Sequence, residues 1–186
     1  MENTKSFTCW VYKHRPFFLA FGIGQSRHIT TDFKAMQKYL HKSYRRSIHF
    51  IPYGVDIFNT PDERVLGEYN SKPHRYFLLI SRIEPENNIE TIIKGFLNAN
   101  LNPDYSLVIV GNYRSPFGRY LQQKYAAENI RFMGGIYDQK KSNNLRHFCL
   151  LYLHRHSVGG TNPLLLGAMG CGVLVLPMTM LSTESA

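Results

Sequence analysis

From residue 75 onward the chain alternates short apolar runs with amphipathic or polar stretches. Tyr76-Phe77-Leu78-Leu79-Ile80 and Leu107-Val108-Ile109-Val110 carry no polar residue at every second position, as expected of strands buried on both faces of a parallel sheet. The pattern predicts strands at 76–81, 106–111, 130–133, 150–153 and 173–177. Helices are predicted between them over 88–99, 116–127, 138–148 and 163–170. Repeated β-α alternation of this kind buries its strands only when helices cover both sides, so the expected fold is α/β: a Rossmann-like, doubly wound parallel sheet.

The first third of the chain is less regular. Residues 32–44 place Phe33, Met36, Tyr39 and Leu40 on one face at helical spacing, with Thr31 or Asp32 as the expected cap. A short strand is expected at Ile48–Pro52, closed by Tyr53-Gly54-Val55-Asp56, where Gly54 permits a tight turn or a close backbone approach. The polar stretch from Asn59 to Pro73 reads as loop or linker.

Composition narrows the class. No apolar run approaches the ~20 residues a membrane helix needs, and the N-terminus lacks the apolar core of a secretory signal. Cys9, Cys149 and Cys171 are too few and too scattered for a disulfide framework or a zinc pattern. The expectation is reduced, structural thiols in a cytoplasmic protein. A net charge of +9 favours anionic partners. Nucleic acid is not expected among them, because the basic residues are scattered and no nucleic-acid-binding motif is present. The basic stretch Lys38–Arg46 offers peripheral contact with anionic lipid at the inner membrane, although a solvated helix face is the simpler reading.

In doubly wound sheets ligands bind beyond the carboxyl ends of the strands. The segments to search are therefore Ser81-Arg82, Gly111-Asn112, Gly134-Gly135 and His154–Pro163. In the last, Asn162 suits a helix N-cap and Pro163 the first turn. Gly159 and Gly160 let a ligand approach free backbone N–H groups whose partial positive charge favours an anion such as diphosphate. A plain strand-to-helix turn accounts for these residues equally well when they are taken alone. Arg82 carries a planar fork of donors suited to phosphate, with solvation as its simpler role. His154 and His156 lie near the same edge without the carboxylate or cysteine company of a metal site, so no metal is expected. Glu84 and Glu86 precede a predicted helix, where acidic residues meet the positive end of its dipole.

The strings Ile51-Pro52-Tyr53-Gly54-Val55-Asp56, Ser81-Arg82-Ile83-Glu84-Pro85-Glu86-Asn87-Asn88, Val108-Ile109-Val110-Gly111-Asn112 and His156-Ser157-Val158-Gly159-Gly160-Thr161-Asn162-Pro163 occur in consistent order. Together they resemble glycosyltransferase family four, in particular its rhamnosyltransferase-like branch, over roughly residues 28–177. The resemblance implies a GT-B architecture, with an acceptor-binding N-terminal domain facing a C-terminal domain that binds a nucleotide-sugar donor. It assigns residues 1–52 to a remnant of the former and 53–186 to the latter, incomplete at its C-terminus. Donor phosphate contacts fall on Arg82, Gly159, Gly160, Thr161 and Asn162, and further lining on Gly54, Gly111, Asn112 and His156. Asn87 replaces the family's lysine. Gly159 and Gly167 stand where the wider family has two glutamates, the second of which contacts the donor ribose.

The activity implied is retaining, metal-independent transfer of a hexose or deoxyhexose such as rhamnose in bacterial polysaccharide biosynthesis. No cofactor is needed beyond the donor substrate, and the acceptor is a glycan or a lipid-linked sugar. No residue takes a general-base role, and the family's acceptor-side histidine would belong to the other domain. The alternative is a non-catalytic nucleotide-sugar-binding fragment or subunit that needs a separate acceptor domain.

Overall fold

In the computed structural model, residues 22–125, 129–154 and 162–177 are described. The chain divides into two compact units, residues 1–53 and 54–186.

In the larger unit the apolar runs pair as one five-stranded parallel sheet. Its strands are β3 (Tyr76–Ile80), β4 (Ser106–Val110), β5 (Ile130–Gly134), β6 (Leu151–His154) and β7 (Val175–Pro177), in the spatial order β5-β4-β3-β6-β7. The chain thus winds outward from β3 to β5, returns to the other side of β3 and continues to β7. The connecting helices are α2 (Ile89–Asn98), α3 (Pro116–Tyr125), α4 (Gln139–His147) and α5 (Pro163–Gly170). All lie where the sequence places them, with ends shifted by a few residues.

Alternate side chains of each strand enter different cores. Leu79, Leu107 and Ile109 pack with Ile89, Ile93 and Phe96 of α2 and Leu121 of α3. Tyr76, Leu78, Val108 and Val110 pack with Leu145 of α4 and Ala168 of α5. Both sheet faces are therefore covered, which is why the strands read as unbroken apolar runs. Tyr76 and Tyr152 are fully buried polar-tipped rings. The Tyr76 hydroxyl donates to Leu145 O at 2.7 Å, and burial pushes its pKa well above the ordinary tyrosine range. Cys149 and Cys171 are buried, free thiols. Burial raises both, that of Cys149 to about 12. Cys9 lies outside the described residues.

The expectation of loop from Asn59 to Pro73 needs correction, since a 3-10 helix spans Glu63–Tyr69. Its Asp62 caps Arg64 N, and Leu66 is buried against the sheet. Asn144 of α4, wholly buried, accepts from Asp62 N at 2.7 Å and donates to Lys140 O at 2.9 Å. Tertiary anchoring of a few side chains, without a 3.6-residue stripe, holds this segment.

The surface between α2 and α3 is tied at Glu90. Its carboxylate accepts from the Tyr125 hydroxyl at 2.7 Å and from Lys124 at 3.1 Å, and pairs with Lys94 at 3.2 Å. The tyrosine hydrogen bond first, then the two lysines, lower its pKa from 4.5 to about 2. A depressed carboxylate contributes stability that is present above its unfolded pKa and lost as pH falls through the folded one. Acid titration from pH 4.5 toward 2 should therefore lower the melting temperature, and Glu90→Gln should flatten that part of the profile. Identical slopes for the two proteins would contradict the assignment.

The smaller unit holds a two-stranded parallel sheet of β1 (Ile29–Thr31) and β2 (Ile48–Phe50), joined by helix α1 (Lys34–Tyr44). Its core is Ile23, Leu40 and Ile48, with Ile29 and Tyr44 against them. Only Leu40 of the predicted apolar face of α1 is buried, while Phe33, Met36 and Tyr39 are exposed. Phe33, with no side-chain cap bond, takes the N-cap position in place of Thr31 or Asp32. Thr31 contributes its hydroxyl as acceptor for Phe33 N.

Candidate functional site

The order of winding creates a switch at β3, whose two neighbours β4 and β6 are reached by connections leading in opposite directions. Ligands of open α/β sheets bind at such a point, beyond the carboxyl ends of the strands. A cleft of about 450 Å³ lies there, lined by the segments that follow β3, β4 and β5 together with Leu164 of α5. Its volume falls in the range of small-molecule sites, about 300–1,000 Å³.

The β3 segment supplies Ser81, Arg82 and Glu84. Three donors converge on the Arg82 carbonyl: Glu84 N at 3.0 Å, the Asn87 side chain at 2.8 Å and the Ser81 hydroxyl at 3.1 Å. Backbone anchoring of this kind leaves the exposed guanidinium free to face a ligand, and no ion pair involves it among the described residues. Asn87, 3% exposed, is thus a brace for the loop. Glu84 makes no side-chain cap bond at the 3-10 turn Pro85–Asn87, and it lines the cleft. The first turn of α2 carries Glu90 instead.

The β4 segment supplies Gly111 and Asn112. A Cβ on Gly111 would stand 2.1 Å from Ser81 O, so the two strand ends approach as closely as they do only because residue 111 has no side chain. Asn112 accepts from Arg114 N at 3.0 Å, and Ser115 caps α3 by accepting from Gly118 N at 3.1 Å. The β5 segment supplies Gly135 and Tyr137. The Tyr137 ring lies over Gly135, where a Cβ would meet the hydroxyl at 2.9 Å, and the residue is 90% exposed. Pattern reading misses Tyr137, because an isolated exposed aromatic carries no periodic signal. Its nearest cue is the Gly134-Gly135 pair two residues before it.

On α5, Asn162 caps the helix by accepting from Leu164 N at 2.9 Å, and Pro163 opens the first turn. His156, Gly159, Gly160 and Thr161 lie outside the described residues. Gly54 is not among the cleft residues: it is exposed and has open space around its Cβ position. The segment after it runs past the far end of α5, where Phe58 N donates to Gly170 O at 2.9 Å. Neither a tight turn nor a close approach at Gly54 is observed.

Gly167 faces a buried cation. Arg146 of α4 is 4% exposed and donates to Ser142 Oγ and Asn143 Oδ1, while its Nε is buried without a partner. A Cβ at Gly167 would lie 3.5 Å from its Cζ and 3.7 Å from both Nε and Nη2, over the flat face of the guanidinium. That is ordinary contact, so a Cβ fits. Gly167→Ala is expected to stabilise by about 1 kcal/mol through helix propensity. Gly167→Glu is expected to exceed it, because a carboxylate can reach the unsatisfied donor. Denaturant midpoints of the two variants check this, and a glutamate variant no more stable than the alanine one would contradict it.

Among the described residues no group of three His, Cys, Asp or Glu converges as a metal site, and no helix is long and apolar enough to cross a membrane.

The model of one protein family, described as glycosyl transferases group 1, matches residues 64–179. No curated protein matches the sequence at a significant level. Solved structures share the fold. Anabaena HepE, crystallised with UDP and glucose, superposes with a TM-score of 0.65 at 18% identity, over 81% of this chain and 44% of that one. A Staphylococcus aureus TarM variant, crystallised with fondaparinux, alpha-GlcNAc-glycerol and UDP, gives a TM-score of 0.67 at 14% identity, over 87% of this chain and 32% of that one. The C-terminal domain of LpcC, a group 1 family protein from Francisella tularensis, gives 0.52 at 18% identity, over 67% and 70%. The chain therefore spans less than half the length of the first two.

Proposed function

Because the chain belongs to the glycosyl transferases group 1 family, whose model covers more than half of it, we propose that its larger unit binds a nucleoside-diphosphate sugar. The observation that carries this reading is the cleft at the β3 switch point, where Arg82 is the one Lys or Arg among the described lining residues. The reaction proposed is a retaining, metal-independent transfer of a hexose or deoxyhexose such as rhamnose to a glycan or lipid-linked acceptor in bacterial polysaccharide biosynthesis. The motif strings quoted above favour family four and its rhamnosyltransferase-like branch. A cytoplasmic location accords with the use of a nucleotide-sugar donor.

In such a transfer the glycosidic bond to the diphosphate breaks and negative charge grows on the leaving oxygens. Arg82 meets that charge, as the resemblance also implies for the amides around Gly160 and Thr161, and fixed donors act more strongly on the transition state than on the ground state. Tyr137 extends the cleft with an exposed ring on which a nucleobase can stack, a contact worth about 1–3 kcal/mol. Saturation-transfer NMR with UDP, dTDP and GDP tests the proposal. One nucleotide should give signals from its base and ribose protons, and Tyr137→Ala should weaken its binding about tenfold. Absence of signal from all three would remove the donor reading.

Asn87 and Gly167 favour a second reading. One lacks the cation and the other the carboxylate that the resemblance implies, which favours a non-catalytic nucleotide-sugar-binding fragment or subunit that needs a separate acceptor domain. Copurification with such a domain separates this reading from the first.

A further inference from the structure

Charge is divided unequally between the two units. Residues 1–53 hold nine Lys and Arg against two Asp and Glu, whereas residues 54–186 hold thirteen against eleven. Within the described part of the smaller unit the single acid is Asp32. Lys34, Lys38 and Lys42 follow one another at four-residue spacing along α1 and are exposed, and Arg45 and Arg46 continue the row. Residues four apart share one side of a helix. None of the three lysines enters an ion pair among the described residues. Beside this row lies a depression of about 460 Å³ lined by Lys38, His41, Arg45 and Arg46.

The same helix exposes apolar side chains that the fold does not use. Tyr39 is 60% exposed and Met36 46%. The helix turns its buried side, marked by Leu40 and Tyr44, toward β1 and β2. At 3.6 residues per turn the order around the helix is Lys42, Tyr39, Met36 and Leu40, so Tyr39 adjoins the lysine row and Met36 lies between Tyr39 and the buried side.

We propose that α1 is a docking surface for an anionic lipid bilayer, with lysines and arginines over the headgroups and Tyr39 and Met36 in the interfacial layer. The depression beside Lys38 and Arg45 seats a lipid phosphate. A lysine row alone fits any polyanion. The exposed Tyr39 beside it, with Met36 next around the helix, favours lipid, because an interface offers an apolar layer as well as negative charge and a nucleic-acid duplex offers charge without that layer. Lipid contact through α1 is independent of nucleotide binding by the larger unit, so either property can fail without the other.

Co-sedimentation of the full chain with vesicles decides the matter. Binding is expected to phosphatidylcholine vesicles containing phosphatidylglycerol, to fall with added salt, and to vanish with phosphatidylcholine alone. At roughly a fivefold loss per basic residue, Lys38→Gln with Lys42→Gln should weaken binding about 25-fold. Glutamine retains helix propensity, and circular dichroism checks that the fold survives. Tyr39→Gln should weaken binding to the same vesicles while leaving its salt dependence intact. Vesicle binding that is absent at low salt, or undiminished in the double variant, would overturn the proposal. Binding of a DNA duplex without vesicle binding would overturn it in favour of nucleic acid.

Discussion

Gly111→Ala is expected to destabilise the chain by about 3 kcal/mol and to abolish the cleft, more than is usual for adding one methyl group. The new Cβ would meet the backbone oxygen of Ser81 at 2.1 Å and Cγ1 of Ile83 at 3.1 Å. Neither partner can yield easily. Ser81 N donates to Val110 O at 3.1 Å and Gly111 N to Gly134 O at 2.9 Å, so the ends of β3, β4 and β5 are joined by the same backbone bonds that a shift would break. Gly95 provides the control, since nothing stands within 4 Å of its Cβ position inside α2. Gly95→Ala should hold or gain stability. Urea unfolding of both variants checks the contrast, and a Gly111→Ala protein as stable as wild type would show that the close approach of β3 and β4 is wrongly described.

The second large effect is on binding. Arg82→Ala should weaken the preferred nucleoside diphosphate by about 2 kcal/mol, roughly thirtyfold, the range for a lost charge-assisted hydrogen bond. The size follows from the composition of the cleft, in which no other described lining residue is Lys or Arg and Asn87 braces the loop without adding charge. The nucleoside without its phosphates should bind wild type and variant alike, because the proposed base contact is with Tyr137 and not with Arg82. Arg82→Lys should recover only part of the loss, since a point charge replaces a planar fork.

What could be read from the sequence divides along physical lines. The five strands and four helices of the larger unit were legible because burial on both sheet faces demands apolar runs, and caps such as Asn162-Pro163 mark helix starts. The 3-10 segment Glu63–Tyr69 was not, because Leu66 and the Asn144 anchor hold it through contacts distant in sequence. Arg146 reads as an ordinary basic residue near a helix end, and only the packing of α4 against α5 reveals it as a buried guanidinium opposite Gly167. In the candidate site, the segments after β3, β4 and β5 followed from the switch-point rule. Gly54 shows the limit of reading a glycine as structurally required, for nothing in the fold restricts its side chain. Tyr137 shows the converse, since its position over Gly135 depends on a loop path that no periodicity encodes.

Isothermal calorimetry of the chain with UDP, dTDP and GDP, for wild type and Arg82→Ala, decides whether the β3 cleft is a nucleotide site. One nucleotide is expected to bind wild type, and the variant to bind it about thirtyfold more weakly. No heat of binding from any nucleotide, or equal affinity in the two proteins, would contradict a donor site at the carboxyl end of β3.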